Sequence, residues 1–145
     1  MIETVMTITI GLIGGLAVGT QGPIAGAMSQ RVGGAASSLV VHVGGALASL
    51  ALLILRRGEQ VAEWRTLPWY MLACGGFGLV LYLSISHTIP RLGATSALTL
   101  IIVGQVIAGV VIDSVGAFGI PVREIDLARI AGVVLLVSGA WLVVR

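Results

Sequence analysis

The chain has 145 residues, 57% of them hydrophobic and 10% charged, with eight basic residues (all arginine), six acids and a formal net charge of +2. Soluble domains carry roughly 25% charged residues to cover a water-facing surface. So few charges cannot do that here, and a mean hydropathy of +1.10 marks an integral membrane protein. The thin, dispersed positive charge excludes a nucleic-acid surface, which needs a basic patch, and the single cysteine, Cys74, excludes a disulfide framework.

Long uncharged runs set the crossings. Between Ile10 and Arg56 the one charge is Arg31, and between Arg65 and Asp113 it is Arg91. A hydrocarbon core ~30 Å thick takes ~20 residues per helical crossing at ~1.5 Å per residue. That predicts an all-α bundle of about five transmembrane helices forming a single domain over residues 1–145.

The first helix is expected over residues 4–28. Gly11, Gly15, Gly19, Gly22 and Gly26 recur at spacings of three and four, placing them on one face where another helix can approach closely. Pro23 removes a hydrogen bond to the Gly19 carbonyl and is expected to bend or loosen the helix. Ala25-Gly26-Ala27 has the small-x-small form of a signal-peptidase site, but Glu3 stands where a signal peptide carries positive charge, so retention is expected.

Residues 29–34 read as a turn, and the second helix follows over 35–55. A small or polar stripe, Gly34, Ser38, His42, Gly45 and Ser49, runs along it, and Arg56 and Arg57 stop it at the interface. Residues 58–67 are the most polar stretch. Pro68-Trp69-Tyr70 then opens a third helix over 69–87, the proline suiting a first turn and the aromatics the headgroup belt. Gly75, Gly78, Tyr82 and Ser86 share one of its faces.

A turn at 89–93 leads to a fourth helix over 94–112, with Gln105 near its centre. Residues 113–126, which hold three acids, read as an interfacial loop, and a fifth helix spans 127–144 with Gly132 and Gly139 seven apart. Five crossings put Arg56, Arg57, Arg65, Arg123 and Arg129 on the amino-terminal side and Arg31, Arg91 and Arg145 on the other. Basic residues collect in the cytoplasm, so the split leans weakly toward a cytoplasmic amino terminus and is compatible with insertion in both orientations.

Polar residues at membrane depth are the functional candidates, because such positions face cavities or neighbouring helices rather than lipid. They are Gln21, beside the Pro23 break; His42, the one ionisable group clearly inside a crossing; Gln105, between Gly104 and Gly109; and Tyr82, able to wall an apolar site. Each can instead serve an interhelical hydrogen bond, worth ~0.6 kcal/mol on average in a membrane. Asp113 reads best as a helix-end residue facing water, His87 as interfacial and Trp69 as part of the aromatic belt. The chain carries no phosphate-binding glycine loop with a lysine, no metal-spaced His/Cys cluster and no catalytic triad. No enzyme activity, metal or cofactor is expected.

Several segments in order are similar to the YdcZ-type family of the drug/metabolite transporter superfamily: the glycine-rich first helix leading to Gln21, Pro68-Trp69 before Gly75-Gly76, and Pro90-Arg91-Leu92-Gly93-Ala94. Gly104-Gln105 with Ile112-Asp113, and Gly132 through Gly139, complete the set. The chain departs from the pattern just after Gln21, where Pro23-Ile24-Ala25 stands in place of an expected asparagine. The resemblance implies a multi-pass protein of the bacterial inner membrane, a half-transporter working as an antiparallel, dual-topology homodimer. It implies a small-molecule substrate, hydrophobic or amphipathic, moved by alternating access between the two copies, with Gln21, His42, Tyr82 and Gln105 as substrate-binding candidates. The Gly132–Gly139 spacing is similar to the glycine repeat through which small multidrug resistance proteins pair. Those proteins couple to protons through a first-helix glutamate that is absent here, which leaves His42 or Asp113 for that role. A structural or regulatory subunit packing onto another membrane complex is the alternative function, and a passive channel a third.

Overall fold

The computed structural model describes residues 1–145 as helices and short connections, with no strand. The order is α1 (Ile2–Val32), α2 (Gly34–Leu55), a 3-10 turn (Val61–Thr66), α3 (Trp69–Ala73), α4 (Gly75–Val115), a second 3-10 turn (Ala117–Gly119) and α5 (Leu127–Val144). The chain divides into two units, Met1–Thr88 and Ile89–Arg145.

In the first unit the turn expected at 29–34 shrinks to one residue. Gly33 sits at φ 88°, ψ 156°, a conformation strained for any residue with a side chain. Its N–H is bonded to the Ser29 carbonyl at 2.8 Å, and its own carbonyl accepts the Ser37 N–H at 3.0 Å, so helical bonding closes on both sides of the reversal. α1 therefore extends to Val32, and it runs through Pro23 without interruption. The α1 face that meets α2 is made of Gly22, Ala25, Gly26 and Ser29, all buried. There the Ser37 hydroxyl donates to the Ala25 carbonyl at 3.0 Å. The glycine ladder thus splits: Gly22 and Gly26 are used inside the chain, while Gly11, Gly15 and Gly19 face open space.

α2 also packs on the amino-terminal part of α4. A Cβ on Gly34 would stand 3.0 Å from Ser86 Oγ and 3.2 Å from Leu83 Cδ2. Tyr82 and Ile85, at 8% and 2% exposure, are the buried residues of α4 on this side.

The second unit holds the rest of α4 and α5. Gly93 adopts φ 77°, ψ 165° within α4, the same kind of conformation as Gly33. The surrounding residues echo one another, Arg31-Val32-Gly33-Gly34 and Arg91-Leu92-Gly93-Ala94, and a buried small residue follows each glycine by four positions, Ser37 in one case and Ala97 in the other. The turn expected at 89–93 is therefore a single non-helical residue, with helix reaching Leu92. Beyond it, α5 lies antiparallel to the 94–115 stretch, because Ser96 Oγ donates to the Val143 carbonyl at 3.2 Å while Arg129 Nη2 reaches Asp113 Oδ2 at 2.8 Å. Asp126 caps α5, its carboxylate accepting the Arg129 N–H at 2.7 Å.

Four helices are long and apolar enough to cross a membrane, the third being the 47-residue stretch Trp69–Val115. A straight helix of that length would measure about 70 Å, more than twice a hydrocarbon core of ~30 Å. The Gly93 break falls close to its middle. Large apolar side chains point outward throughout, Leu16 at 71%, Leu47 at 62% and Leu135 at 72% exposure among them. Lipid is the solvent that makes such a surface stable.

Candidate functional site

Gln21 stands ten residues before Arg31 on α1, about 15 Å along the helix axis. If Arg31 marks the interface, that is the middle of the bilayer. The side chain is exposed and carries no hydrogen bond. It borders a groove of about 710 Å³ whose walls include Ile13, Leu16, Ala17 and Ile24 of α1 and Val41 of α2. The neighbouring Thr20 does not compete for partners there, since its hydroxyl already donates to the Leu16 carbonyl at 2.8 Å. An unpaired amide facing hydrocarbon costs on the order of 4–8 kcal/mol on a cyclohexane scale. The Gln21 face therefore needs something other than acyl chains against it.

His42 follows Val41 on α2 but faces α4. Its Nδ1 is 2.7 Å from the Ser38 carbonyl and 3.3 Å from the Ser38 hydroxyl. A carbonyl can only accept, so Nδ1 carries a ring proton and donates it there. Nε2 is directed at Gly78 of α4, where a Cβ would collide with it. Tyr82, one turn further along α4, meets the imidazole edge-on, with ring centroids 5.4 Å apart at 73°. Ser38, His42, Gly78 and Tyr82 thus form one cluster between α2 and α4, for which the absent side chain at Gly78 makes room.

The sequence grouped Gln21, His42, Tyr82 and Gln105 as candidates. The structure brings His42 and Tyr82 into contact and sets Gln21 in a separate groove on the α1–α2 side. Gln105 belongs to the second unit, exposed and without a hydrogen bond, with open space beside Gly104 and Gly109. Asp113 is a helix-end acid, as expected, in the last turn of α4, and it has a partner. Its side chain is 27% exposed and paired with Arg129, and its carbonyl accepts the Arg123 N–H at 2.9 Å. Sequence reasoning missed Arg129, because a pairing across sixteen residues depends on how α5 folds back. Arg129 Nη1 is buried without a partner. Near the helix ends, Trp69 is 79% exposed, Arg65 lies over the Trp64 ring at 5.7 Å, and Arg145 lies over Trp141 at 4.1 Å. Exposed tryptophans beside arginines are the composition of an aromatic belt with cationic anchors.

Residues 6–142 match the model of the family described as "Putative inner membrane exporter, YdcZ". The chain belongs to that family. It is 32% identical over 88 residues to the inner membrane protein YdcZ of Escherichia coli strain K12, a stretch covering 61% of this chain and 56% of the relative. The match thus spans a little over half the length of that relative. No solved structure matches. The family and the apolar helices together make this a multi-pass protein of the inner membrane, of a transporter family, and the resemblance read from the glycine, proline and glutamine motifs is confirmed.

Proposed function

We propose that the chain is one subunit of a secondary transporter that moves a small, hydrophobic or amphipathic organic solute by alternating access. It crosses the membrane five times as a single domain, Gly93 dividing α4 into two crossings, and it works as an antiparallel homodimer. The observation that carries the reading is the pair of unpartnered amides, Gln21 and Gln105, at membrane depth in a member of an exporter family. Side chains of this kind are tolerated there when they line a cavity or meet another polar surface.

Two further features support it. Gly11, Gly15 and Gly19 on α1, and Gly132 and Gly139 on α5, have open space where a Cβ would stand. Small-residue seams are where membrane helices associate, and a second copy supplies the missing helices. In the first unit, His42 and Tyr82 add an imidazole and an aromatic ring in contact, 5.4 Å between centroids. With Asp113 held by Arg129, His42 is the residue left to exchange protons; without that exchange the protein is a facilitator. The chemistry is transport rather than catalysis.

Proteoliposomes containing the purified protein should show saturable, protein-dependent solute uptake. A protein that dimerises yet moves no candidate solute would refute transport and favour a structural subunit, which should then copurify with a fixed membrane partner. Orientation is read separately, from maleimide labelling of Arg31→Cys and Gly58→Cys in a Cys74→Ala background. Labelling of both positions from both sides establishes dual insertion; labelling of each from one side only removes the antiparallel dimer.

A further inference from the structure

We infer that the Gln21 groove selects an uncharged, largely apolar solute carrying an adjacent hydrogen-bond donor and acceptor, such as a lactam or carboxamide, and rejects organic cations. The inference rests on the transporter reading above and specifies its substrate class.

Charge gives the first half of the argument. No carboxylate occurs between Glu3 and Glu59, nor between Glu63 and Asp113, so a cation at mid-membrane in this unit has no counter-charge. Arg31 is the one cation between Glu3 and Arg56, and it stands about 15 Å along α1 from Gln21. An anion is therefore no better served. Burying an unpaired charge in a low-dielectric site is strongly unfavourable, which leaves the neutral class.

The second half comes from Gln21 itself. Its carboxamide presents a C=O and an NH2 side by side, and neither is engaged by the chain. The walls around it are aliphatic, Ile13, Leu16, Ala17, Ile24 and Val41, and the one adjacent hydroxyl, Thr20, is already committed to its own helix. A molecule that pairs with both amide groups while lying against these aliphatic side chains satisfies the side chain that lipid cannot.

Three bicyclic probes of one shape test the assignment: 2-quinolinone (a neutral lactam), naphthalene and N-methylquinolinium (a fixed cation). Radiolabelled 2-quinolinone is equilibrated with the full chain in nanodiscs, with empty discs subtracted and the other two compounds as competitors. The lactam should bind saturably, naphthalene should compete about tenfold less well for lack of the amide pair, and N-methylquinolinium should not compete. Gln21→Leu should weaken lactam binding by about the same tenfold factor. Ala17→Phe should block the groove, and Gln21→Glu should let the cation compete.

Competition by N-methylquinolinium against the unmodified protein as strong as that of the lactam itself would overturn the inference. So would lactam binding indifferent to both Gln21→Leu and Ala17→Phe, or variants that change the oligomeric mass instead, which would show a second copy covering the groove. Binding without transport leaves this inference standing and removes the transporter reading. Transport of the cation does the reverse.

Discussion

Substituting Gly78 by alanine tests the cluster between α2 and α4. The added methyl would occupy space already taken by His42 Nε2, so one of two things must give. Either α2 and α4 move apart, or the imidazole swings away from its bond to the Ser38 carbonyl at 2.7 Å and from the Tyr82 ring at 5.4 Å. Loss of a hydrogen bond costs about 0.5–1.5 kcal/mol, and loss of an aromatic edge contact about the same again. The sum, roughly 1–3 kcal/mol, is an upper limit, because His42 is exposed and its ring has room to turn outward. Reversible unfolding in mixed micelles, followed by circular dichroism against denaturing detergent, gives the stability difference. A double-mutant cycle with His42→Ala supplies the control. With the imidazole removed, Gly78→Ala has nothing to strike and should cost less than about 0.5 kcal/mol, the scale of a substitution that disturbs no contact. An equal penalty in both backgrounds would refute the contact and the histidine orientation drawn from it.

Other outcomes follow from the same geometry. Gly33→Ala and Gly93→Ala each place a side chain at a strongly positive φ, so each should destabilise by about 1–3 kcal/mol, whereas Gly44→Ala, in open space on α2, should cost nothing measurable in the same assay. Asp113→Asn should free the Arg129 guanidinium from its ion pair. With both side chains 27% exposed, a double-mutant cycle with Arg129→Gln should give a coupling of about 1 kcal/mol that shrinks in high salt, and no coupling would mean that the two groups part in the membrane. Gly15→Leu and Gly139→Leu, at positions facing open space, should leave unfolding of the single chain unchanged while weakening self-association by at least tenfold, about 1.4 kcal/mol. Sedimentation in density-matched detergent reads that difference, and unchanged association would remove these seams from the dimer contact.

Much of the helical frame was legible because membrane crossings are written in composition. An uncharged run long enough to span hydrocarbon must be helical, since no water is present to satisfy its backbone. The second and fifth helices accordingly fall within a residue of their expected bounds. The connections were less legible. A glycine pair such as Gly33-Gly34, or Gly93 after Pro90-Arg91-Leu92, signals a break without saying how many residues it uses. One positive-φ glycine proved enough at each, which lengthens α1 to Val32 and carries the helix before Gly93 on to Leu92. The site was legible residue by residue but not as a constellation. Gln21 borders α2 at Val41 while His42 meets α4, because helical phase and the choice of neighbour, not depth alone, decide which polar groups meet.

The sequence by itself determined that this chain lives in a bilayer, which residues are polar at its depth, and which family it belongs to, because those properties depend on residue type and order. The tertiary structure alone decided the rest. It put Gly22 and Gly26 inside the chain and left Gly11, Gly15 and Gly19 open, pointed His42 at Gly78, and joined Asp113 to Arg129. Each of those outcomes depends on the rotation and direction of one helix against another, and such packing is fixed by surfaces meeting in space rather than by any single stretch of sequence.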